Sequence, residues 1–243
     1  MKAAATPDLV KCAVGAAANA QDLLDDAEVL SAAGRHARAY ALAALAVEEA
    51  GKAASLGSLA IMPLSLRAQA PLGRMLEWHQ LKLVGGMLIA AVPHGHRTVA
   101  AQLSAMPPSQ VAGILDNAQA LAHDQDRLKQ RGLYADMDSG GQVRLPSEVG
   151  EADVAAQLGL ARQAVSSARA LIDPAMPAFL ANPPAEVVEF CRALVSAFAK
   201  ARSGRTAQAA ADVFLEAVSK LRERTAASAA PHARTRSGRA GRA

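Results

Sequence analysis

The chain is 243 residues long, 51% apolar but only 3% aromatic, with a formal net charge of +4. That length fits one large domain or two small ones, and an apolar content made mostly of alanine and leucine argues for helices and against a β architecture. The charge is not spread over the body: Arg234, Arg236, Arg239 and Arg242, in the acid-free tail 225–243, account for the whole excess, so residues 1–224 are formally neutral.

The tail reads as a disordered basic terminus, able to touch nucleic acid or acidic surfaces nonspecifically. Cys12 and Cys191 give no disulfide framework and no metal-ligand spacing. Each lies within a helical pattern, where a small buried hydrophobe is expected. "MKAAATPDLVK" has no apolar leader segment, and "LVGGMLIAAV" at 83–92 is far short of the about 20 residues a bilayer span needs. These features predict a cytoplasmic protein with no membrane segment.

Helical periodicity dominates the chain. A first helix is predicted over 7–33, with Leu9, Ala16, Leu23, Ala27 and Leu30 on one stripe and Gly34 as its stop. A second runs from 35 to 59, ended by Pro63. A third, over 72–92 and closed by Pro93, is apolar nearly all round, which predicts the central and most buried helix. "MPPSQ" at 106–110 opens a fourth, with Ser109 as candidate N-cap, reaching 131. "RGLYADMDSGGQVRLPSE" at 131–148 reads as an ordered loop or a small hairpin across "LYADMD" and "QVRLP". Helices follow at 151–172, 185–201 and 206–224, with the proline-punctuated connection "DPAMPAFLANPP" between the first two. No repeat, strand–helix alternation or Gly-rich phosphate loop is present.

Charge interrupts this pattern in the second helix, at "ALAALAVEEAGKA" (41–53). Leu42, Leu45, Glu49, Lys52, Leu56 and Leu59 fall on one heptad-like line, so Glu49 and Lys52 are predicted to face the core, with Glu48 four residues before Lys52 and able to reach it. Buried charges require partners. Two arrangements meet that requirement: an internal Glu49–Lys52 pair at the edge of the core, or a polar pocket shared with another helix. The third helix supplies matching pieces, His79 and Lys82 at i, i+3 on an otherwise apolar face with Met75, Gly86 and Ile89. Gly86 would let another backbone come close. Arg74 and His79 form an R-x4-H pair. A histidine can move the proton of an RNA 2′-hydroxyl and an arginine can stabilise charge building on the phosphate, with no metal required. His94 and His96 lie i, i+2 in "VPHGHR" with no carboxylate or cysteine nearby, so no metal and no cofactor is expected. His123 is predicted on a solvated face beside Asp124 and Asp126.

Together these segments resemble the AbiV-type abortive-infection proteins of the HEPN superfamily. The family's A-x-x-L-L-x-D-A, G-R-x-x-R-A-Y-A-L-A and E-E-x-G-K blocks correspond here to Ala20–Ala27, Gly34–Ala43 and Glu48–Lys52. His79 and Lys82 match its H-x-x-K, and "RGLYADMD" with Pro146 is similar to its K-x-x-G-L-Y-V-D segment before a proline. The resemblance covers about 19–160. It implies an all-α, HEPN-like helical bundle, placed here over 1–172 with a small loop or hairpin insertion; beyond the resemblance, the helical pattern alone predicts a C-terminal extension over 173–224 packed on the bundle, followed by the basic tail 225–243. The resemblance also implies an antiphage effector that arrests growth or translation, for which two readings stand. In one, the protein is a homodimeric, metal-independent ribonuclease with RNA as partner, His79 as acid–base group, Arg74 or Lys82 on the phosphate, and Glu48, Glu49 and Lys52 in a supporting polar pocket. In the other it is a non-catalytic helical protein that binds a phage protein or a component of the translation machinery.

Overall fold

A computed structural model describes residues 6–62, 79–91, 102–103, 105–137, 140–172, 176–200 and 211–223. Arg74, Met75, His94, His96 and the basic tail lie outside these residues.

Helix α1 (Thr6–Ala32) and helix α2 (His36–Ile61) form a hairpin. Its turn is chemically determined. Gly34 takes φ 70°, a left-handed conformation that costs a glycine nothing. That lets Gly34 N–H donate to Ser31 O at 3.0 Å and Arg35 N–H to Leu30 O at 2.8 Å, which satisfies two of the last carbonyls of α1. The stripe of α1 that meets the core is Leu9, Ala13, Ala16, Ala17, Ala20, Leu24 and Ala27. Leu24 therefore takes the core position that the sequence assigns to Leu23, which packs only partly buried at the margin.

Helix α2 is the hub. It touches α1, the third helix α3 (His79–Ala91), the fourth, α4 (Pro108–Leu133), and the fifth, α5 (Glu151–Ala170). The sequence assigns the central place to the third helix. Leu81–Ile89 of α3 are indeed buried on every face, but α2 is the helix with neighbours on all sides. Alanine and glycine make this possible, because a helix wrapped by four others needs small side chains around its whole circumference.

Helix α4 begins differently from expectation. Pro107 is the N-cap and Pro108 opens the helix, while Ser109 is an exposed first-turn residue and caps nothing. Proline suits this position because its missing N–H would have no helical partner there. Strands β1 (Asp136–Met137) and β2 (Val143–Arg144) pair antiparallel, with Gly141 at φ 78° in the connection, so the predicted hairpin is present in miniature. A 3-10 turn at Pro146–Glu148 leads into α5, where Asp153 accepts the Gly150 N–H at 3.0 Å.

The proline-punctuated connection contains a short helix, α6 (Met176–Ala181), where the sequence predicts none. Helix α7 (Ala185–Lys200) and α8 (described over 211–223) follow. Val187, Phe190, Leu194, Phe214, Val218 and Leu221 join the apolar cluster that begins at Leu9. Arg222 ties α8 to the segment before α4, donating to Leu103 O at 3.0 Å and to Met106 O. Among the described residues, no helix is long and apolar enough to cross a membrane.

The cysteines divide. Cys191 is buried, its Sγ 3.5 Å from Ser58 O, but Cys12 lies on the exposed face of α1 and is not the core residue its helical setting suggests. Burial pushes the Cys191 thiol up to about 12, so little thiolate exists at neutral pH. A thiol-labelling titration is therefore expected to modify Cys12 alone in the native protein and Cys191 only after denaturant is added.

Candidate functional site

The charged residues of "VEEAGK" do not share one environment. Leu42, Leu45, Glu49 and Lys52 form a half-exposed edge of α2, and only Leu56 and Leu59 of the predicted core line are buried. Glu49 and Lys52 pair with each other along that edge, Nζ 3.2 Å from both carboxylate oxygens. The core carboxylate is Glu48, whose side chain is 3% exposed. It does not reach Lys52. Lying one step round the helix, it faces α3 and α4 and uses both oxygens there: Oε2 lies 2.7 Å from His79 Nδ1, and Oε1 lies 2.5 Å from Lys129 Nζ.

His79 stands at the start of the described part of α3 with its side chain 63% exposed. An ionised carboxylate can only accept, so Nδ1 is the donor to Glu48 and Nε2 is the ring nitrogen left for another partner. Among the described residues Nε2 has no partner. A solvent-facing imidazole held by a buried carboxylate is the arrangement in which histidine works as a base. The acid fixes the ring's tautomer and orientation and stabilises the imidazolium once a proton is taken.

Lys82, one turn further along α3, is buried. Burial draws its ammonium below the ordinary lysine range, while the nearby charges of Glu48 and Glu49 act against that shift and those of Lys52 and Lys129 add to it. These interactions place Glu48, Glu49, Lys52, Lys82 and Lys129 in one neighbourhood. Lys129, on α4, is 6% exposed and also holds Asp126 Oδ1 at 3.0 Å. Burial alone would lower its pKa, but the hydrogen bonds to Glu48 and Asp126 hold it above the ordinary value.

The sequence reading missed Lys129, although a signal was there. Val111, Leu115, Ala118, Ala122 and Gln125 are the buried line of α4, and the next position on that spacing is 129. A lysine continuing an apolar line carries the same message as a glutamate doing so. His123 and Asp124 lie on the exposed face as expected, but Asp126 is drawn to Lys129.

The helices that carry this cluster cross at glycines. A Cβ on Gly51 would lie 2.0 Å from Lys82 O, and one on Gly86 would lie 2.4 Å from Val47 O. Both helix backbones therefore touch beside the cluster, and that contact sets the reach from Glu48 to His79. Gly86 thus makes the close approach anticipated for it. Among the described residues, no group of three or more His, Cys, Asp or Glu side chains is placed to hold a metal ion.

The chain matches the family model described as AbiV, of the HEPN group, over residues 8–166, well over half of its length. The match takes in α1 to α4, most of α5, and every residue of the charged cluster. No curated protein and no solved structure gives a significant match.

Proposed function

This chain belongs to the AbiV family of HEPN proteins, and from that premise we propose that it is an abortive-infection effector acting in the cytoplasm as a metal-independent ribonuclease, with His79 as its acid–base group. The observation that carries the reading is the Glu48–His79 pair, a buried carboxylate at 2.7 Å from an exposed imidazole. In the proposed reaction, His79 Nε2 removes the proton of an RNA 2′-hydroxyl. The 2′-oxygen bonds to the adjacent phosphorus and the P–O5′ bond breaks. The 5′-oxygen takes its proton from water and the His79 imidazolium returns its proton to solvent, giving a 2′,3′-cyclic phosphate and a 5′-hydroxyl end. Lys82, with Arg74 preceding α3 in the chain, would supply positive charge for the phosphate, and two copies would bring two such sites to one RNA. Glu49 and Lys52 border the site.

A second reading has its own support. The Glu48–Lys129 pair is buried deeply enough to serve helix packing alone, which suits a non-catalytic protein that binds a phage or translation component. Induction of the protein with and without His79→Ala, scored for growth arrest and total RNA integrity, separates the two. The exposed ring can be removed with little cost to folding. RNA loss that disappears in His79→Ala supports the nuclease, and cyclic phosphate ends on the fragments identify its chemistry. Arrest that persists in His79→Ala with RNA intact excludes it.

A further inference from the structure

The geometry points to Lys129 as a positioning residue for the His79 base, acting through Glu48. This rests on the reading of His79 as the acid–base group and adds a residue from another helix to it. The charged groups gathered there are Glu48, Glu49 and Lys52 from α2, Lys82 from α3, and Asp126 and Lys129 from α4. Among the described residues, Lys129 of that group and the His79 imidazole are the two that touch Glu48, one on each oxygen, at 2.5 and 2.7 Å.

Two consequences follow. The first is orientation. The terminal torsion of a glutamate is broad and roughly two-fold, so a carboxylate held at one oxygen can still turn. Lys129 on Oε1 fixes the plane of the group and thereby the direction in which Oε2 receives the imidazole Nδ1–H. The second is charge. A buried carboxylate whose sole close partner is an imidazole favours the protonated ring, and a protonated ring cannot accept a proton from a hydroxyl. The ammonium of Lys129 compensates Glu48 from the other side. With that cation on Oε1, Glu48 is not left to balance its charge on the imidazole alone. Asp126, half-buried and 3.0 Å from Lys129 Nζ, draws on the same ammonium from the surface and works against this.

The test is an NMR titration of the His79 imidazole in the intact protein, which requires no RNA cleavage. In Lys129→Gln the hydrogen bond to Glu48 can persist while the charge is lost. The midpoint of the imidazole titration is expected to move to higher pH, whereas Lys129→Arg, which keeps the cation, leaves it near its original place. A folded Lys129→Gln with an unmoved midpoint overturns the inference. Should Lys129→Gln fail to fold, the solvent-side variant Asp126→Asn decides. It returns the full charge of Lys129 to Glu48, so the midpoint moves to lower pH, while Asp124→Asn, on the exposed face of the same helix, moves it little. An unmoved midpoint in Asp126→Asn, or an equal movement in both, overturns the inference. If the induced protein leaves RNA intact, the nuclease reading fails while the titration still reports on Lys129. If RNA is cleaved, the acid limb of its pH–rate profile moves with the imidazole in Lys129→Gln, which a loss of stability alone would not produce.

Discussion

Replacing Glu48 with alanine is expected to destabilise the fold by about 3–5 kcal/mol, the usual result of removing one member of a buried ion pair. The cost arises on the partner. Among the described residues, Lys129, 6% exposed, would keep only the half-buried Asp126 at 3.0 Å, and its ammonium would lie in the core near the buried Lys82. The loss at His79 is small by comparison, because that ring is mostly solvated. Against a total stability of about 5–15 kcal/mol for a typical protein, the change would appear as a fall in melting temperature on the order of ten degrees. Glu48→Gln, which can still accept from Lys129, is expected to cost less. The double variant Glu48→Leu, Lys129→Met removes both charges and fills the space, so it is expected to melt near or above the unaltered protein, as buried pairs replaced by apolar groups often do. The comparison divides stability from function: a double variant that is stable but unable to arrest growth would show that the pair is kept for the site. The pH dependence has a definite sign. Lys129 is held above its ordinary value of 10.5, so its contribution is fully present below that value and is lost as the pH rises through the raised one. A Glu48→Ala protein that melts within a degree or two of the original would show that the pair does not stabilise the fold.

The periodicity of the sequence revealed the helices because apolar spacing and turn chemistry are local. Gly34, the prolines around 107–108 and the "DSGGQ" turn all act within a few residues of themselves. The register of the charges was harder to read. A line through Leu42, Leu45, Glu49 and Lys52 is a valid amphipathic stripe, but on a helix covered by four others the apolar line no longer identifies the buried side. Glu48 is the deep residue because α3 and α4 place His79 and Lys129 opposite it, and the identity of those partners is a tertiary fact 31 and 81 residues away along the chain. The pairing of "VEEAGK" with "HQLK" was legible, since a glutamate on a helix interior and a histidine on an apolar face each call for a polar neighbour. The third member, Lys129, is marked in the sequence only by its place on the buried line of α4 after Val111, Leu115, Ala118, Ala122 and Gln125, and nothing local ties it to Glu48. Cys12 shows the same limit in reverse, for a helical setting says nothing about which side of the helix a residue occupies.

Gly51→Ala is expected to be among the most damaging single substitutions in the protein, although alanine normally stabilises a helix interior relative to glycine by roughly 0.5–1 kcal/mol. The added methyl would lie 2.0 Å from Lys82 O and 2.7 Å from Gly86 N. Both are backbone atoms, so no side chain can turn aside and the two helices must separate. Overpacking of this kind costs about 1–3 kcal/mol when side chains can adjust, and here the cost falls at or above the upper end. Gly86→Ala meets Val47 O at 2.4 Å and is expected to behave alike. The sign reverses elsewhere in the same protein. A Cβ at Gly15, Gly113 or Gly159 meets nothing within 4 Å, so alanine there should raise the melting temperature through helix propensity and a less disordered unfolded chain. The crossing also bears on the site. Widening α2 from α3 draws Glu48 away from His79, so a Gly51→Ala protein that remains folded is expected to lose the imidazole contact even with every charged residue in place. Thermal melts of Gly51→Ala beside Gly159→Ala, with the His79 titration on each, test the two parts together: opposite shifts in melting temperature are expected, with a displaced titration only in Gly51→Ala. If Gly51→Ala proves as stable as Gly159→Ala, the helices do not meet backbone to backbone at this point, and the spacing assigned to Glu48 and His79 falls with that contact.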